Sequence, residues 1–484
     1  MEYIVSDDTS SVCSSNTQLS NNSITPNFIN NMTVESACEF EQAVFESIDE
    51  YTNEHIGKMH LSNFHANLIQ DIAIYFFELL IDYEECLEQD SDYEYIECFV
   101  RQRAELFFDT ISSIPNRSCN QIFKKNTIDP CKLTKLTKHI SYLQSLPQPE
   151  QRTKEWYEFR HNLITASSLG KLFGSDSLYN FIICEKCKPI DYDSSLGNCS
   201  IDSPMHWGTK YEPLTVMLYE KIYKTKIADF GCIKHSTYPC IGASPDGINI
   251  DLTSPLYGRM LEIKNIVNRE ISGIPLDSYW IQMQGQMETC DLDECDFIET
   301  QFKEYEESEF YSDLSHQERG IVLYFVKKQA KVYTSNNVPT NNSIRVIDLH
   351  STGSAKQLYA RETGIELMSD KELNSGNFGA DSNINQFKQY NIPHYVFMPL
   401  SIELNKNSID QWINTKKTEL KDTYTLYTTQ YWYLEKMSCV LVQRNKAWFS
   451  ESVSKIVDAW KIIEKERVSG WEHRLPKKYR SILI

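Results

Sequence analysis

Two short runs decide the fold: Ser244-Pro-Asp246-Gly247 and, a hairpin's length later, Met260-Leu-Glu262-Ile263-Lys264. Glu262 and Lys264 are two apart in an apolar run, and in a strand positions i and i+2 project to one face. Both side chains therefore point together, while Leu261 and Ile263 point into the opposite layer. Asp246 ends a strand-like run, Cys240-Ile-Gly-Ala-Ser-Pro, and Gly247 frees the backbone to turn beside a ligand. The stretch Asn249 to Arg259 holds Asp251, Pro255 and Gly258 and reads as a hairpin connection. An antiparallel return then brings Glu262 back beside Asp246. Two carboxylates and a backbone carbonyl at one point suit Mg²⁺. A metal there polarises a phosphate and lowers the pKa of a bound water, with Lys264 orienting that water or stabilising charge on a phosphate oxygen. The Glu-x-Lys pattern alone is weak. Glu419-Leu-Lys421 repeats it in a run that reads as a helix, and a surface strand with a Glu–Lys pair has the same letters.

The neighbouring segments strengthen the reading. Thr153 to Leu163 reads as a helix with Trp156, Phe159 and Leu163 on one face. Arg160, one turn after Trp156, lies at the edge of that face, where a half-buried guanidinium needs an anion. Ile164-Thr165-Ala-Ser167 follows, and Ser167 reads as N-cap of a second short helix that stops at Gly174. Free N–H groups and a hydroxyl at a helix start suit a phosphate. The plainer reading pairs Arg160 with a nearby Glu and leaves Ser167 as a cap. Glu212, in Trp207-Gly-Thr-Lys-Tyr-Glu-Pro, falls near a helix start because Pro213 is tolerated in a first turn. It is a candidate third carboxylate, although a glutamate at such a place is more often structural. Gln282 and Gln286 are four apart on a helix expected from Asp277 to Thr289, and they could reach a polar pocket or face solvent.

In this order, Arg160 with Ile-Thr-Ala-Ser, Gly208-x-x-x-Glu212, Ser-Pro-Asp246-Gly, Glu262-x-Lys264 and Tyr279-x-x-Gln282-x-Gln resemble the YqaJ-like viral recombinases, which group with lambda exonuclease in the PD-(D/E)XK nuclease superfamily. The resemblance covers about Pro147 to Thr300. It implies an α/β fold, with a central mixed β-sheet flanked by helices, and Mg²⁺-dependent 5′-to-3′ digestion of one strand from linear duplex ends. It implies two Mg²⁺ (or Mn²⁺) ions held by Asp246, Glu262 and the Ile263 carbonyl. Lys264 matches the catalytic lysine, Glu212 the helical glutamate and Gln282 the glutamine near the active centre. Arg160 and Ser167, with Thr165 between them and Trp156 one turn earlier, match the 5′-phosphate pocket. Double-stranded DNA ends are the implied partner, and a single-strand-annealing protein is a second. The insertion from Tyr179 to Pro204 and residues 330–484 depart from the short phage enzymes and look more like the longer homologues of large DNA viruses, which leaves the phage enzyme's trimer without support here. A structure-specific endonuclease or resolvase is the rival within the enzyme class. A non-catalytic DNA-binding scaffold of the same fold is the rival outside it, opposed by the retention of Asp246, Glu262 and Lys264.

The chain has 484 residues and a net charge of −19. Residues 1–110 hold 22 acidic and 3 basic side chains, so they carry all of that charge and the rest is balanced. A balanced remainder can line a DNA channel. The acidic region needs another role, such as a protein contact or exclusion of nonspecific DNA. The reading divides the chain into a disordered tail (1–35), an acidic helical region (36–113), a basic segment and linker (114–150), a nuclease core (151–345) and a C-terminal extension packing on that core (346–484). The first residues show no signal peptide, and the apolar run Ile72 to Ile81 is too short to span a bilayer. With 14 cysteines and no disulfide framework, an intracellular protein is expected, in host cytoplasm or nucleus if viral. Cys184 and Cys187 have zinc-ligand spacing, with Cys199 and His206 as candidate completions, but a second CxxC is missing and reduced thiols are favoured.

Overall fold

The computed structural model describes residues 33–82, 90–117, 128–190, 192, 204–328 and 393–475. The expected disordered tail and Cys199 fall largely or wholly outside them, and so do residues 335–343 and 351–390, whose polar composition reads as loops or an insertion. Helices α1 (Val34–Glu54), α2 (Phe64–Asp82), α3 (Asp90–Leu106) and α4 (Pro130–Ser145) come first. Then follow α5 (Lys154–His161), β1 (Ile164–Thr165), α6 (Ala166–Leu172), α7 (Asp176–Cys187) and α8 (Pro204–Tyr223). Short strands β2 (Ile227–Ala228), β3 (Ile233–Lys234), β4 (Ile241–Ala243) and β5 (Gly247–Asn249) lead to β6 (Met260–Asn265), α9 (Asp277–Cys290) and β7 (Glu294–Tyr305). The chain closes with α10 (Glu307–Ser312), β8 (Arg319–Lys327), β9 (His394–Phe397), α11 (Lys406–Leu420), β10 (Tyr424–Gln443) and α12 (Lys446–Ser469).

The expected mixed α/β architecture is present. Seven strands form one sheet in the order β2-β5-β6-β7-β10-β8-β9, and a second sheet has the order β1-β4-β3. β6 and β7 are parallel, with Glu262 beside Phe297 and Lys264 beside Glu299, and α9 makes the crossover between them. The alternation in Met260-Leu-Glu-Ile-Lys explains both flanking layers. Leu261 and Ile263 pack with Tyr219 of α8 and Ile298, whereas Met260 joins Trp280 and Met283 of α9 on the other face.

Four expectations need correction. First, the C-terminal segment does not lie on a finished core. β10 sits between β7 and β8, pairing antiparallel with β8 over Tyr424–Tyr433 and with β7 over Tyr431–Gln443, so the sheet is completed only after residue 424. Second, α8 begins eight residues before Glu212, and Pro213 lies inside it. Proline removes one backbone donor without ending the helix here. Packing of Tyr211, Leu214 and Leu218 against Phe302 and Trp432 outweighs that loss. Third, the cap of α6 is Thr165, whose backbone is extended (φ −78°, ψ 149°), and Ser167 stands within the helix. Fourth, the acidic helices are not a separate appendage. Val44, Ile48, Leu68, Phe76, Ile96 and Val100 belong to one buried cluster with Trp280 and Trp448. Arg117 clamps this region to the start of α9, donating to the His60 carbonyl at 3.0 Å, the Pro275 carbonyl at 3.2 Å and Asp277 Oδ1 at 2.9 Å. Among the described residues Phe64–Ile81 has the length and apolar composition of a membrane span. Its Leu68, Ile72, Phe76 and Leu80 are buried inside the protein.

Candidate active site

β5 pairs with β6 only at Gly247–Leu261 and Ile248–Met260. Beyond Leu261 no strand among the described residues pairs with this edge of β6, and Asp246 fills the opening. Its N–H donates to the Leu261 carbonyl at 3.2 Å, and its Oδ2 accepts the Ile263 N–H at 2.7 Å. The hairpin return thus sets Asp246 beside Glu262, as the sequence predicts. Gly247 is required for a different reason from the expected one. Its φ is not in the left-handed region, but a Cβ there would lie 2.3 Å from Ile227 Cγ2.

Glu262 is fully buried. Gln282 Nε2 donates to its Oε1 at 2.8 Å and Gln286 Nε2 to its Oε2 at 2.7 Å. Lys264 is ion-paired to Oε1. Gln286 also donates to the Ser244 carbonyl at 3.2 Å, which joins α9 to the Asp246 loop. Of the two readings of the glutamines, the pocket-facing one is the structure's. α9 can approach this closely because Gly285 meets α6. A Cβ there would lie 2.4 Å from Leu169 Cδ1 and 3.3 Å from Ala166 Cβ.

The electrostatics are those of crowded carboxylates. Burial, then the charges of Glu262 and Glu212, push the Asp246 carboxyl well above its usual range. Burial and Glu262 push Glu212 up as well, against the pull of Lys264. Burial opposes the Lys264 charge, but Glu262 and Asp246 outweigh it and hold the ammonium above its usual range. Lys264 also lies over the Tyr279 ring at 4.9 Å. Tyr279 is a contact that the sequence pattern carried, at i−3 from Gln282, but that no spacing rule singled out. Glu299, buried and ion-paired to Arg269, is another; only the parallel register with β7 brings it beside Lys264.

Among the described residues, no three His, Cys, Asp or Glu side chains already converge at coordination distance. The donor chemistry nonetheless fits a hard divalent cation. The charges of Glu262 and Glu212 push Asp246 up and that of Glu262 pushes Glu212 up, and a cation relieves that repulsion. Asp246, Glu262 and the Ile263 carbonyl are the groups that would hold it.

Arg160 and Trp156 come together, with the guanidinium 4.6 Å from the Trp156 ring centroid. Arg160 also lies beside the buried Cys232 thiol, as does Ser244. This places the arginine next to the segment that leads to Asp246. Thr165 Oγ1 lies 3.1 Å from both Ser167 Oγ and Ser168 Oγ, and Thr165 pairs with Gly242 of β4. Ser167 is exposed and Thr165 buried. Among the described residues, the zinc candidates form no metal-holding group. Cys184 and Cys187 are buried on α7, with Cys187 donating to the Ile463 carbonyl at 3.7 Å. His206, on α8, is hydrogen-bonded to the Tyr395 hydroxyl.

An uncharacterized protein of Acanthamoeba polyphaga mimivirus is 27% identical over 341 residues, covering 66% of this chain and 54% of that protein. The chain therefore spans about half the length of that relative. An alkaline exonuclease from Laribacter hongkongensis is 26% identical over 31% of this chain and 74% of that one, with a TM-score of 0.25. The same exonuclease in complex with dAMP gives 26% identity over 32% and 75%, with a TM-score of 0.24. The family model for the YqaJ-like viral recombinase domain matches residues 155–293, from the arginine helix through the glutamine helix. Over residues 155–293, where Asp246, Lys264, Gln282 and Gln286 gather around Glu262, this chain is similar to the YqaJ-like viral recombinase domain.

Proposed function

We propose that the chain is a divalent-metal-dependent deoxyribonuclease that degrades one strand of linear duplex DNA inward from a 5′ end, in viral-type recombination, repair or replication. The observation that carries this reading is the convergence of Asp246, Glu262 and Lys264 at the edge of β6, with Glu212 beside them. A bound Mg²⁺ or Mn²⁺ pair supplies charge neutralisation at the phosphate and a more acidic water. Lys264 acts as a fixed positive charge rather than a base, because its neighbours keep it protonated, and it stabilises charge developing on a phosphate oxygen. Gln282 and Gln286 hold Glu262 in one orientation. Arg160, with the Ser167 and Thr165 hydroxyls, receives the 5′-phosphate, whose charge exceeds that of an internal diester. Trp156 braces the guanidinium by stacking.

The test is digestion of end-labelled linear, nicked and closed circular duplex with Mg²⁺ or EDTA. Linear DNA carrying a 5′-phosphate should be degraded from that end, and only with the metal. Asp246→Ala, Glu262→Gln and Lys264→Ala should each abolish cutting while the protein stays folded. Full activity in EDTA or in Asp246→Ala sinks the reading. Rapid cutting of closed circles makes the protein an endonuclease instead.

A further inference from the structure

The helix that presents Arg160 is held by two cations from distant parts of the chain. Lys186 Nζ, on α7, donates to the Arg160 carbonyl at 3.0 Å. Arg467, near the end of α12, donates through Nη2 to the His161 carbonyl at 2.6 Å and through Nη1 to Asn162 Oδ1 at 3.1 Å. Its Nε donates to the Lys186 carbonyl at 2.9 Å. Cations are favoured at a helix C-terminus, yet these two are desolvated. Lys186 is only 5% exposed, and burial pulls the pKa of both groups down. Glu185 stands farther from Lys186 Nζ, at 3.6 Å, than the Arg160 carbonyl at 3.0 Å. Burying a cation on such acceptors costs free energy, and Arg160 is the charged side chain whose position they fix.

The other end of α12 is tied to the glutamine helix. Asn445 N donates to Gln284 Oε1 at 2.7 Å, and Gln284 Nε2 donates to the Gln443 carbonyl at 3.0 Å. Arg444 makes a two-pronged pair with Glu288 at 2.8 and 2.6 Å. Trp448 packs edge-on against Trp280, with centroids 5.0 Å apart. A 24-residue helix, about 36 Å long, therefore joins the glutamines that orient Glu262 to the helix that carries Arg160.

We propose that Lys186 and Arg467 are positioning residues for end recognition. Through α12 they hold Arg160 at a fixed offset from Asp246 and Glu262, and this offset sets how many nucleotides from the 5′ end the cut falls. The inference rests on the nuclease reading above. Two measurements test it. The first is binding in EDTA of duplexes that differ only in a 5′-phosphate or 5′-hydroxyl. The second is the length of the products released in Mg²⁺. Wild type should favour the phosphate and release products of one length. Arg467→Ala should cut the phosphate's advantage in Kd about tenfold, the size of one lost charge-assisted contact, and spread the product lengths. Arg467→Lys, which can still reach one carbonyl, should recover part of both. If Arg467→Ala does not fold, Lys186→Met is measured in its place, with the same expectation. An unchanged phosphate advantage with unchanged product length in a folded variant overturns the proposal. So does a variant that loses binding to both duplexes equally. A wild type that binds with phosphate preference but never cuts DNA defeats the nuclease reading, whereas a wild type that cuts with no phosphate preference defeats the positioning proposal alone.

Discussion

Asp246 shows what a single residue gives up for a site. Its carboxyl is pushed up by burial and by two neighbouring carboxylates, so without a cation it is a source of repulsion. The sign follows directly. A carboxyl whose folded-state pKa is raised contributes stability below its unfolded value, and that contribution is lost as pH rises through the folded value. In EDTA the wild type should therefore lose stability as pH rises above about 4, the usual carboxylate range. Asp246→Asn keeps an acceptor for the Ile263 N–H but removes one charge. It should flatten that pH dependence and raise stability in EDTA by on the order of 1 kcal/mol, seen as a higher melting temperature. Mg²⁺ should stabilise wild type and leave Asp246→Asn unmoved. Thermal melts across pH with and without Mg²⁺ decide it, and a variant less stable than wild type in EDTA would show that the repulsion is not the dominant cost. The Asp246, Glu262 and Lys264 set was legible because strand alternation and a hairpin return are local rules. The cap was misplaced from Thr165 to Ser167 because both are hydroxyl residues, and only the backbone angles at Thr165 distinguish them.

At the scale of elements, the contact between α6 and α9 carries the most consequence. Gly285 lets α9 approach α6, and on an adjoining face of α9 Gln282 and Gln286 reach Glu262. Gly285→Ala adds a methyl against the fully buried Leu169. Overpacking of this kind costs about 1–3 kcal/mol and displaces the glutamines, so activity should fall by more than stability alone explains. Leu169→Ala in the same chain restores room and should return part of the activity while remaining less stable than wild type. Chemical denaturation and nuclease rates on the single and double variants test the pair; equal activity in Gly285→Ala and wild type would mean that α9 is free to shift. The helical period of α9 was readable, but the need for glycine was not, since its neighbours come from more than a hundred residues earlier. Pro213 misled for the same reason. Its cost is local and visible in the sequence, whereas the packing of Tyr211 and Leu218 that outweighs it is tertiary.

The whole molecule joins an acidic helical module to a charge-balanced remainder through one continuous core. A tidy boundary near residue 110 looked natural from charge alone. Burial contradicts it, because Met59 is fully buried, Asn445 reaches its sulfur at 3.4 Å, and Trp448 Nε1 donates to His60 at 3.3 Å. The C-terminal boundary misled in the same way. β10 is central to the sheet, and its partners lie far apart in sequence, so no run of letters near it announces that position. Deleting residues 1–110 would strip side chains from the core and confuse unfolding with function. Neutralising the exposed face keeps the two apart. Glu35, Glu39, Asp49 and Glu50 on α1 are exposed, and surface substitutions of this kind shift stability within about 0.5 kcal/mol. If the module's charge repels DNA that does not engage the active site, replacing these four with Gln or Asn should leave melting and metal-dependent cutting intact and tighten binding to closed circular DNA. The tightening should shrink as salt rises, because screening removes the repulsion in wild type. Binding isotherms on circular duplex at low and high salt measure it. Identical affinities for the two proteins at low salt would assign the acidic face to a role other than DNA exclusion.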